Sequence, residues 1–312
     1  MTDARRRYRL HDLTIDSEIA LDAVEVRGTA TPALRVILDG SRTIPGAPPP
    51  GELVAHIDDP PYSFAIVAQD HDVVLRYQAA CDCRLDAAAM TMRVTVDPTI
   101  APAVVGNVVG SGALSFAAMR HGASIFHASA IALGDVAVVV LGEPASGKTT
   151  TAAELCLGGA VVLADDAVRV VTDTEGTRVW AGIPALRLRP AAAQALTAQV
   201  DGLSLAPPVE GRFILHPPAP PLEPVPLAAV LVTQVDQHRR AIALEPLSLR
   251  EALVEALRHP RIGGFVDGRP LREHFDTSSR LVERVPFYRL RRPPSPVRPA
   301  LAVRALREHL GA

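Results

Sequence analysis

Residues 136–170 read VAVVVLGEPASGKTTTAAELCLGGAVVLADDAVRV, and the order of apolar, glycine-containing and helix-forming runs in this stretch predicts the core of the fold. An apolar run leads into a loop with two glycines, a helix-forming run follows, and a second apolar run ends in two aspartates. The pattern predicts a strand, a loop, a helix from about Lys148 to Leu157 and a second strand. Strands that alternate with helices in this way are typical of an α/β core.

The loop from Gly142 to Thr149 has the form G-x-x-x-x-G-K-[ST] at every fixed position. In such a loop the backbone N–H groups form a nest for phosphate oxygens, and the following helix adds the positive end of its dipole. Lys148 is the only lysine of the chain, which argues against a chance match, and a compact ammonium fits between crowded phosphates. The predicted nucleotide-binding residues are Gly142, Glu143, Pro144, Ala145, Ser146, Gly147, Lys148, Thr149 and Thr150.

Asp165 and Asp166 follow an apolar strand seventeen residues after the lysine. Carboxylates beside a phosphate loop have two obvious roles, to hold Mg²⁺ and to accept the proton of an attacking hydroxyl. Adjacent residues of a strand point to opposite faces, so we expect at most one of the two to face the nucleotide unless the chain is already turning. The alternative is a solvated turn.

His127 lies in a predicted strand, SIFHASAIAL (124–133), that is joined to the loop's own strand by a Gly134-Asp135 hairpin turn. Taken alone, a histidine in a strand is more often structural. Its spacing relative to the loop and the paired aspartates makes His127 a candidate site residue.

The spacing from His127 through Gly142–Thr150 to Asp165 and Asp166 resembles that of the HPr kinase/phosphorylase family, whose core is similar to that of phosphoenolpyruvate carboxykinase. The resemblance implies that the protein uses ATP and Mg²⁺. It implies that Asp165 is the catalytic base for a seryl hydroxyl and that Thr149 and Asp166 serve Mg²⁺. It further implies that Lys148 contacts the β- and γ-phosphates, that His127 lies at the phosphate region, and that the protein forms a homo-oligomer.

The segment VWAGIPALRLRP (179–190) departs from that family, because it lacks the acidic residue of the family's signature. It resembles instead the divergent HPr-kinase-like proteins, including those of lasso-peptide pathways, which phosphorylate a serine of a small peptide. Arg187 and Arg189 fall on one face of an extended chain and are predicted to act on the phosphoryl group or on an acidic substrate tail. Surface solvation is the alternative for both, and Arg212 is a further candidate.

The bulk composition excludes several classes of protein. The net charge of −2 gives no indication of nucleic acid or an anionic membrane as a partner. Neither a signal peptide nor an uninterrupted apolar run of membrane-spanning length is present, so we expect a cytoplasmic protein. Three cysteines make no disulfide framework, and we interpret Cys81 and Cys83 as packing residues.

Two domains are predicted. Short strand-like runs such as RVILDG, ELVAHI, SFAIVA and MTMRVTV, separated by glycine and proline clusters, indicate a small β-rich domain over residues 1–102. Residues 103–312 are predicted to form an α/β domain with a phosphoenolpyruvate-carboxykinase-like P-loop core, beginning with a helix that ends near Gly122.

Together these features predict an ATP-dependent kinase that phosphorylates a serine of a peptide or small protein, with a lasso-type precursor peptide as a candidate substrate. Two alternatives stay open at this point. One is a bifunctional HPr kinase/phosphorylase, and the other is an ATP-binding sensor or chaperone of peptides that transfers no phosphate.

Overall fold

The computed structural model describes residues 5–59, 63–77 and 79–310. The chain forms two compact units, Met1–Ala123 with Ile262–Glu273, and Ser124–Arg261 with His274–Ala312. Residues 103–123, which the sequence assigned to the second domain, therefore lie in the first unit. Small residues explain this placement, because a Cβ added at Gly112 would lie 2.0 Å from the hydroxyl oxygen of Tyr77.

The first unit is built on one mixed sheet in the order β3-β1-β2-β4-β9-β8-β7-β6-β5. Strand β4 pairs in parallel with β2 and β9, and the other neighbours are antiparallel. This confirms the β-rich character predicted for the N-terminal region. The strands are β1 Arg6–Leu10, β2 Leu13–Ser17, β3 Val24–Glu25, β4 Leu34–Ser41, β5 Glu52–Ile57, β6 Phe64–Gln69, β7 Asp72–Tyr77, β8 Cys81–Leu85 and β9 Thr91–Val96.

A helical stretch follows the sheet and consists of α1 Pro102–Asn107, a π-helical turn Val108–Ala113 and α2 Leu114–Arg120. Within the described residues, this is the one stretch long and apolar enough to cross a membrane by length and composition alone. Of its apolar window, 67% is buried inside the protein. Buried core helices pass the same test, so the stretch is weak evidence for a span.

The second unit contains a sheet in the order β10-β14-β15-β19-β12-β11-β13, with β21 beside β19 and β20 beside β21. A small sheet, β16-β18-β17, accompanies it. The strands are β10 Ile125–Phe126, β11 Ser129–Leu133, β12 Val136–Leu141, β13 Val161–Asp165, β14 Val168–Asp173, β15 Gly176–Trp180, β16 Leu186–Leu188, β17 Ala206–Val209, β18 Arg212–Leu215, β19 Val225–Val235, β20 Ala243–Pro246 and β21 Phe287–Arg292. The helices are α3 Lys148–Leu157, α4 Pro190–Thr197, α5 Leu249–Leu257, α6 Gly268–Arg284 and α7 Pro299–Leu310. Of α6, the part from His274 onward belongs to this unit.

Helices cover both faces of the large sheet, and this explains why its central strands read as continuous apolar runs. On one face the buried side chains of the strands pack with residues of α5 and α6, such as Ala256 and Leu281. On the other face they pack with residues of α3 and α7, such as Leu155 and Leu306. The predicted α/β character of the second region is therefore confirmed.

Strand directions bring several chain ends to one edge of the sheet. Strands β12, β19 and β21 are mutually parallel, and β11 runs antiparallel between β12 and β13. The carboxyl ends of β12, β13, β19 and β21 thus meet at the edge where β11 begins. Ser129, the first residue of β11, is paired with Val140 on one side and with Asp165 on the other.

The single strand predicted over residues 124–133 is wrong in one respect, because the chain forms two strands there. Phe126 of β10 pairs with Val168 and bridges to Pro260, whereas Ser129 begins β11. The chain changes partner strands between these two points. His127 consequently lies in the bend between the strands and not within the strand that pairs with the loop's strand.

A buried ion pair lies next to the phosphate loop, between the end of β21 and α3. Arg292 is 2% exposed and Glu154 is 0% exposed, and Nη2 of the arginine donates to Oε1 of the glutamate at 2.8 Å. Nη1 of the arginine also donates to Oγ1 of Thr151 at 2.6 Å and to the carbonyl oxygen of Gly147 at 3.3 Å. The same carboxylate oxygen accepts the backbone N–H of Val297 at 2.7 Å.

We expect Arg292→Met to lower the free energy of unfolding by about 3–5 kcal/mol, because it leaves the carboxylate of Glu154 buried without its cation. The double variant Arg292→Met/Glu154→Leu should recover most of that loss. Urea unfolding followed by circular dichroism measures both variants. Arg304→Met, which breaks the exposed pair with Glu308, is the matched control and should leave stability nearly unchanged. A double variant as unstable as the single one would contradict the assignment.

Candidate functional site

The phosphate loop has the backbone conformation that its two glycines permit. Gly142 and Gly147 have φ values of 148° and 98°, and a Cβ at Gly142 would lie 2.4 Å from Oγ1 of Thr233. The backbone N–H of Ser146 donates to the carbonyl oxygen of Glu143 at 3.0 Å, and the hydroxyls of Ser146 and Thr233 lie 2.7 Å apart. Contacts to Thr233 of the neighbouring strand β19 therefore fix the loop just before α3 begins.

Lys148 lies inside this loop and is 8% exposed. Its Nζ donates to the carbonyl oxygens of Gly142 at 2.6 Å and of Glu143 at 3.4 Å. Burial lowers the pKa of the lysine, while the negative charges of Asp165, Asp166 and Glu143 raise it. A cation at the N-terminus of a helix is suited to contact the outer oxygens of a bound phosphate chain.

Asp165 ends β13 and is buried beside the loop. Oγ of Ser129 donates to its carboxylate at 2.5 Å, and Oγ1 of Thr149 donates to both carboxylate oxygens at 3.1 and 3.2 Å. Burial raises the pKa of Asp165 to about 6, against the lowering effect of the Ser129 and Thr149 hydrogen bonds. A carboxyl group whose pKa lies near neutrality is suited to take a proton from a hydroxyl.

Asp166 lies outside the strand, in a left-handed backbone conformation with φ of 71°. Its Oδ1 lies 3.0 Å from Nδ1 of His127, and its Oδ2 accepts a hydrogen bond from Nη2 of Arg261 at 2.8 Å. Because the chain turns at this residue, the two carboxylates are not restricted to opposite faces of a strand. Both of their charges act on Lys148, so the pair lies in one site.

His127 is held beside the aspartates by the backbone as well as by its ring. Its N–H donates to the carbonyl oxygen of His259 at 2.9 Å, and its ring contacts Asp166. Burial and the nearby charges of Lys148 and His127 lower the pKa of His259 to about 4, so this second histidine is neutral at neutral pH. The arrangement keeps one partly exposed histidine at the rim and one uncharged histidine behind it.

The predicted arginines lie in or next to strands of the small sheet. Arg187 in β16 pairs with Glu210 at 3.7 Å, and Arg189 is exposed at the start of α4. Arg212 begins β18. In the part of the chain that the structure describes, neither Arg187 nor Arg189 is hydrogen-bonded or ion-paired to the loop or to the aspartates, so their predicted roles stay predictions.

Arg261 and Arg292 are the two site arginines that sequence reasoning missed. Arg261 follows Pro260 after the end of α5, and its backbone N–H donates to the carbonyl oxygen of Ile125 at 3.0 Å. Arg292 ends β21 and supports the loop from within the core. Neither residue belongs to a motif, so only the fold brings them to the site.

The oxygens at the loop suit a hard divalent cation such as Mg²⁺, which prefers oxygen ligands and keeps several waters. Thr149 and Asp166 were the predicted ligands, and the hydroxyl of Thr149 here contacts Asp165. Within residues 5–59, 63–77 and 79–310, no group of three or more His, Cys, Asp or Glu side chains could hold a metal ion. A Mg²⁺ at this site would therefore take its remaining ligands from phosphate oxygens and water.

No protein-family model matches the sequence, and no curated protein matches it significantly. Among solved structures, the chain is similar to the HPr(Ser) kinase/phosphatase from Coxiella burnetii. The identity is 9% and the TM-score 0.31, over 59% of this chain and 95% of that chain. This likeness is too slight to carry an argument, so the function proposed below depends on the geometry of the site.

Asp165→Asn should become more stable relative to the wild type as pH rises. The folded-state pKa of about 6 lies above the ordinary value of 3.8, so the stability contributed by the protonated carboxyl is present below pH 4 and is lost as pH rises through 6. The amide variant has no charge to bury. The difference in free energy of unfolding should grow by about 2–3 kcal/mol between pH 4 and pH 8.

Denaturant unfolding of both proteins at a series of pH values measures this difference. Asp135→Asn, at an exposed position of the hairpin turn, is the control and should show no such growth. A pH-independent difference for Asp165→Asn would show that the carboxyl is already charged at low pH in the folded protein.

Proposed function

We propose that the protein is an ATP-dependent kinase that transfers the γ-phosphoryl group to a serine hydroxyl of a peptide or small protein. The observation that carries this proposal is the position of Asp165. A buried carboxyl with a raised pKa lies within hydrogen-bond distance of Thr149 of the phosphate loop. Binding of a nucleotide needs a phosphate loop, whereas attack of a hydroxyl on its γ-phosphorus also uses a proton acceptor beside the phosphates.

The proposed step is a direct displacement. The carboxylate of Asp165 takes the proton of the serine hydroxyl, the hydroxyl oxygen forms a bond to the γ-phosphorus, and the bond between that phosphorus and the β–γ bridging oxygen breaks. ADP leaves with the electron pair of the broken bond. Little covalent chemistry falls to the protein, so the rate depends on position and on charge stabilisation.

Lys148 and the backbone N–H groups of Gly142–Thr149 hold the phosphate chain in this proposal. Thr149 and Asp166 are the proposed protein ligands of Mg²⁺. The bound ion would neutralise the negative charge that develops on the phosphates during transfer. Arg261 and His127 position the Asp166 carboxylate from two sides. In this proposal the fixed Asp166 carboxylate holds Mg²⁺ on its own side of the phosphates, and the acceptor hydroxyl approaches from the side of Asp165.

A peptide or small protein as acceptor is supported by the segment that runs beside Asp165. The backbone N–H of Asp165 donates to the carbonyl oxygen of Ile183 at 2.7 Å. Ile183 belongs to the GIPALRL run whose pattern resembles that of the peptide kinases. We propose that this run presents the acceptor serine, and that the protein is cytoplasmic and forms a homo-oligomer.

Lys148→Ala and Asp165→Asn should separate binding from transfer. Loss of the lysine removes a charge-assisted contact to phosphate and should weaken ATP binding by about 100-fold. Asp165→Asn should keep ATP affinity within about threefold and lower the rate of transfer by about 10²–10⁴-fold. Calorimetric titration with ATP and Mg²⁺ measures the first effect, and transfer of γ-labelled phosphate to a library of serine-containing peptides measures the second.

Arg304→Ala, on the exposed face of α7, is the control for both measurements. An Asp165→Asn protein that transfers phosphate at the wild-type rate would contradict the base assignment. Tight ATP binding by the wild type with neither transfer nor ATP hydrolysis would favour a non-catalytic sensor. Release of pyrophosphate from inorganic phosphate and a phosphoserine product would favour the bifunctional kinase/phosphorylase.

The value of kcat/KM should fall below about pH 6. The base must be deprotonated in the free enzyme, and burial places its pKa at about 6. Rates of ATP-dependent phosphate transfer, measured at a subsaturating concentration of the acceptor between pH 5 and pH 8, should follow a single ionisation on the acid side. If the residual activity of Asp165→Asn still fell below about pH 6, the ionisation would belong to a group other than Asp165.

A further inference from the structure

A cavity of about 500 Å³ lies at the edge of the large sheet, and its lining includes neither the phosphate loop nor the paired aspartates. Two loops line it, residues 237–240 and residues 293–297. The first follows the carboxyl end of β19 and the second follows the carboxyl end of β21. Since β19 is the parallel neighbour of β12, the cavity opens at the same edge as the phosphate loop.

Both walls of the cavity are held in place by hydrogen bonds. The backbone N–H of Asp236 donates to the carbonyl oxygen of Arg292 at 2.8 Å, and Oδ1 of Asp236 accepts the N–H of His238 at 3.0 Å. On the other wall, the N–H of Val297 donates to Glu154 at 2.7 Å. Glu154 belongs to α3, the helix that begins at the phosphate loop. The cavity is thus preformed and shares its anchor with that loop.

The strand order gives the site a direction. Along the edge the order is β21, β19, β12, β11 and β13. Asp165, the proposed base, lies at the end of β13 within hydrogen-bond distance of Thr149, so under the proposed function the terminal phosphate lies on the β11 and β13 side of the loop. The remainder of that nucleotide then leaves the loop toward β19 and β21. Neighbouring strands lie about 4.8 Å apart, so the cavity begins roughly one to two strand spacings from the loop.

We infer that this cavity binds the nucleoside of the nucleotide whose phosphates the loop holds, an inference that rests on the proposed function. Its lining has two arginines and a histidine and no carboxylate, which suits a ligand that carries a phosphate chain. Arg239 is fixed by Asp236 and Glu245 at 3.5 and 3.3 Å, whereas Arg240 is exposed. A guanidinium such as that of Arg240 has a planar face on which a base can stack, and the prolines of the other loop give the lining apolar surface.

Inorganic tripolyphosphate, which has no nucleoside, is the probe that tests this inference against ATP. Ser295→Trp, which fills the cavity, and Arg240→Ala, which removes a stacking face, should each raise the Kd for ATP by about tenfold. The Kd for tripolyphosphate should change by less than about twofold, because the phosphate loop is untouched. Calorimetric titrations in the presence of Mg²⁺ give both constants, and Arg250→Ala on the exposed surface of α5 is the matched control.

The outcomes separate this inference from the proposed function. Wild-type protein that binds neither ATP nor tripolyphosphate would overturn the phosphate site itself. Cavity variants that leave the Kd for ATP unchanged, or that raise both constants equally, would overturn only the nucleoside assignment. A rise in KM for an acceptor peptide with no change in ATP affinity would assign the cavity to the acceptor instead.

Discussion

The ion pair between Arg292 and Glu154 is the interaction on which the candidate site depends. It joins the end of β21 to α3, and through the carbonyl oxygen of Gly147 it also reaches the phosphate loop. A buried pair of this kind adds little net stability, because the desolvation of both charges offsets most of their attraction. Its contribution is positional. It fixes the helix N-terminus, the loop and the wall of the neighbouring cavity relative to one another.

Two buried ionisable residues on the other side of the loop, Asp165 and His259, lower the stability of the folded protein. Burial of Asp165 raises its pKa to about 6 and burial of His259 lowers its pKa to about 4. The carboxyl lowers stability as pH rises, and the histidine lowers it as pH falls, since the unfolded histidine binds a proton that the folded one does not. The two effects act in the same pH range with opposite sign. Global stability can therefore stay nearly flat with pH while the protonation of the site changes.

Much of the architecture follows from local sequence, because a short-range pattern determines it. The predicted helix Lys148–Leu157 and the predicted strand that leads to the paired aspartates are found as α3 and β13. Apolar runs, glycine-containing loops and helix-forming runs can be recognised in the sequence without knowing which distant residues they contact. The conformation of the loop over residues 142–149 could be predicted for the same reason, since its two glycines and its lysine lie within seven residues of the chain.

The residues that could not be predicted are those whose roles depend on distant partners. His127 was placed in a strand, but the chain changes partners between β10 and β11 and leaves it in a bend. Arg261 reaches Asp166 across 95 residues of sequence and Arg292 reaches Glu154 across 138. Arginine is also the commonest cation of this chain, so neither position stands out by residue type. Arg187 and Arg189 were expected to act together because alternate residues of an extended chain lie on one face. That alternation does not show which part of the protein the face contacts.

The two buried cations beside the loop show why one of them is a lysine in a chain that otherwise uses arginine. The guanidinium of Arg292 donates to fixed acceptors on four residues: Gly147, Thr151, Glu154 and Pro293. A planar fork suits that task, because its donors and their acceptors do not move. Lys148 donates to two loop carbonyl oxygens, and under the proposed function its rotatable ammonium exchanges these acceptors for phosphate oxygens. A planar guanidinium would need its acceptors in one fixed arrangement both with and without the phosphates.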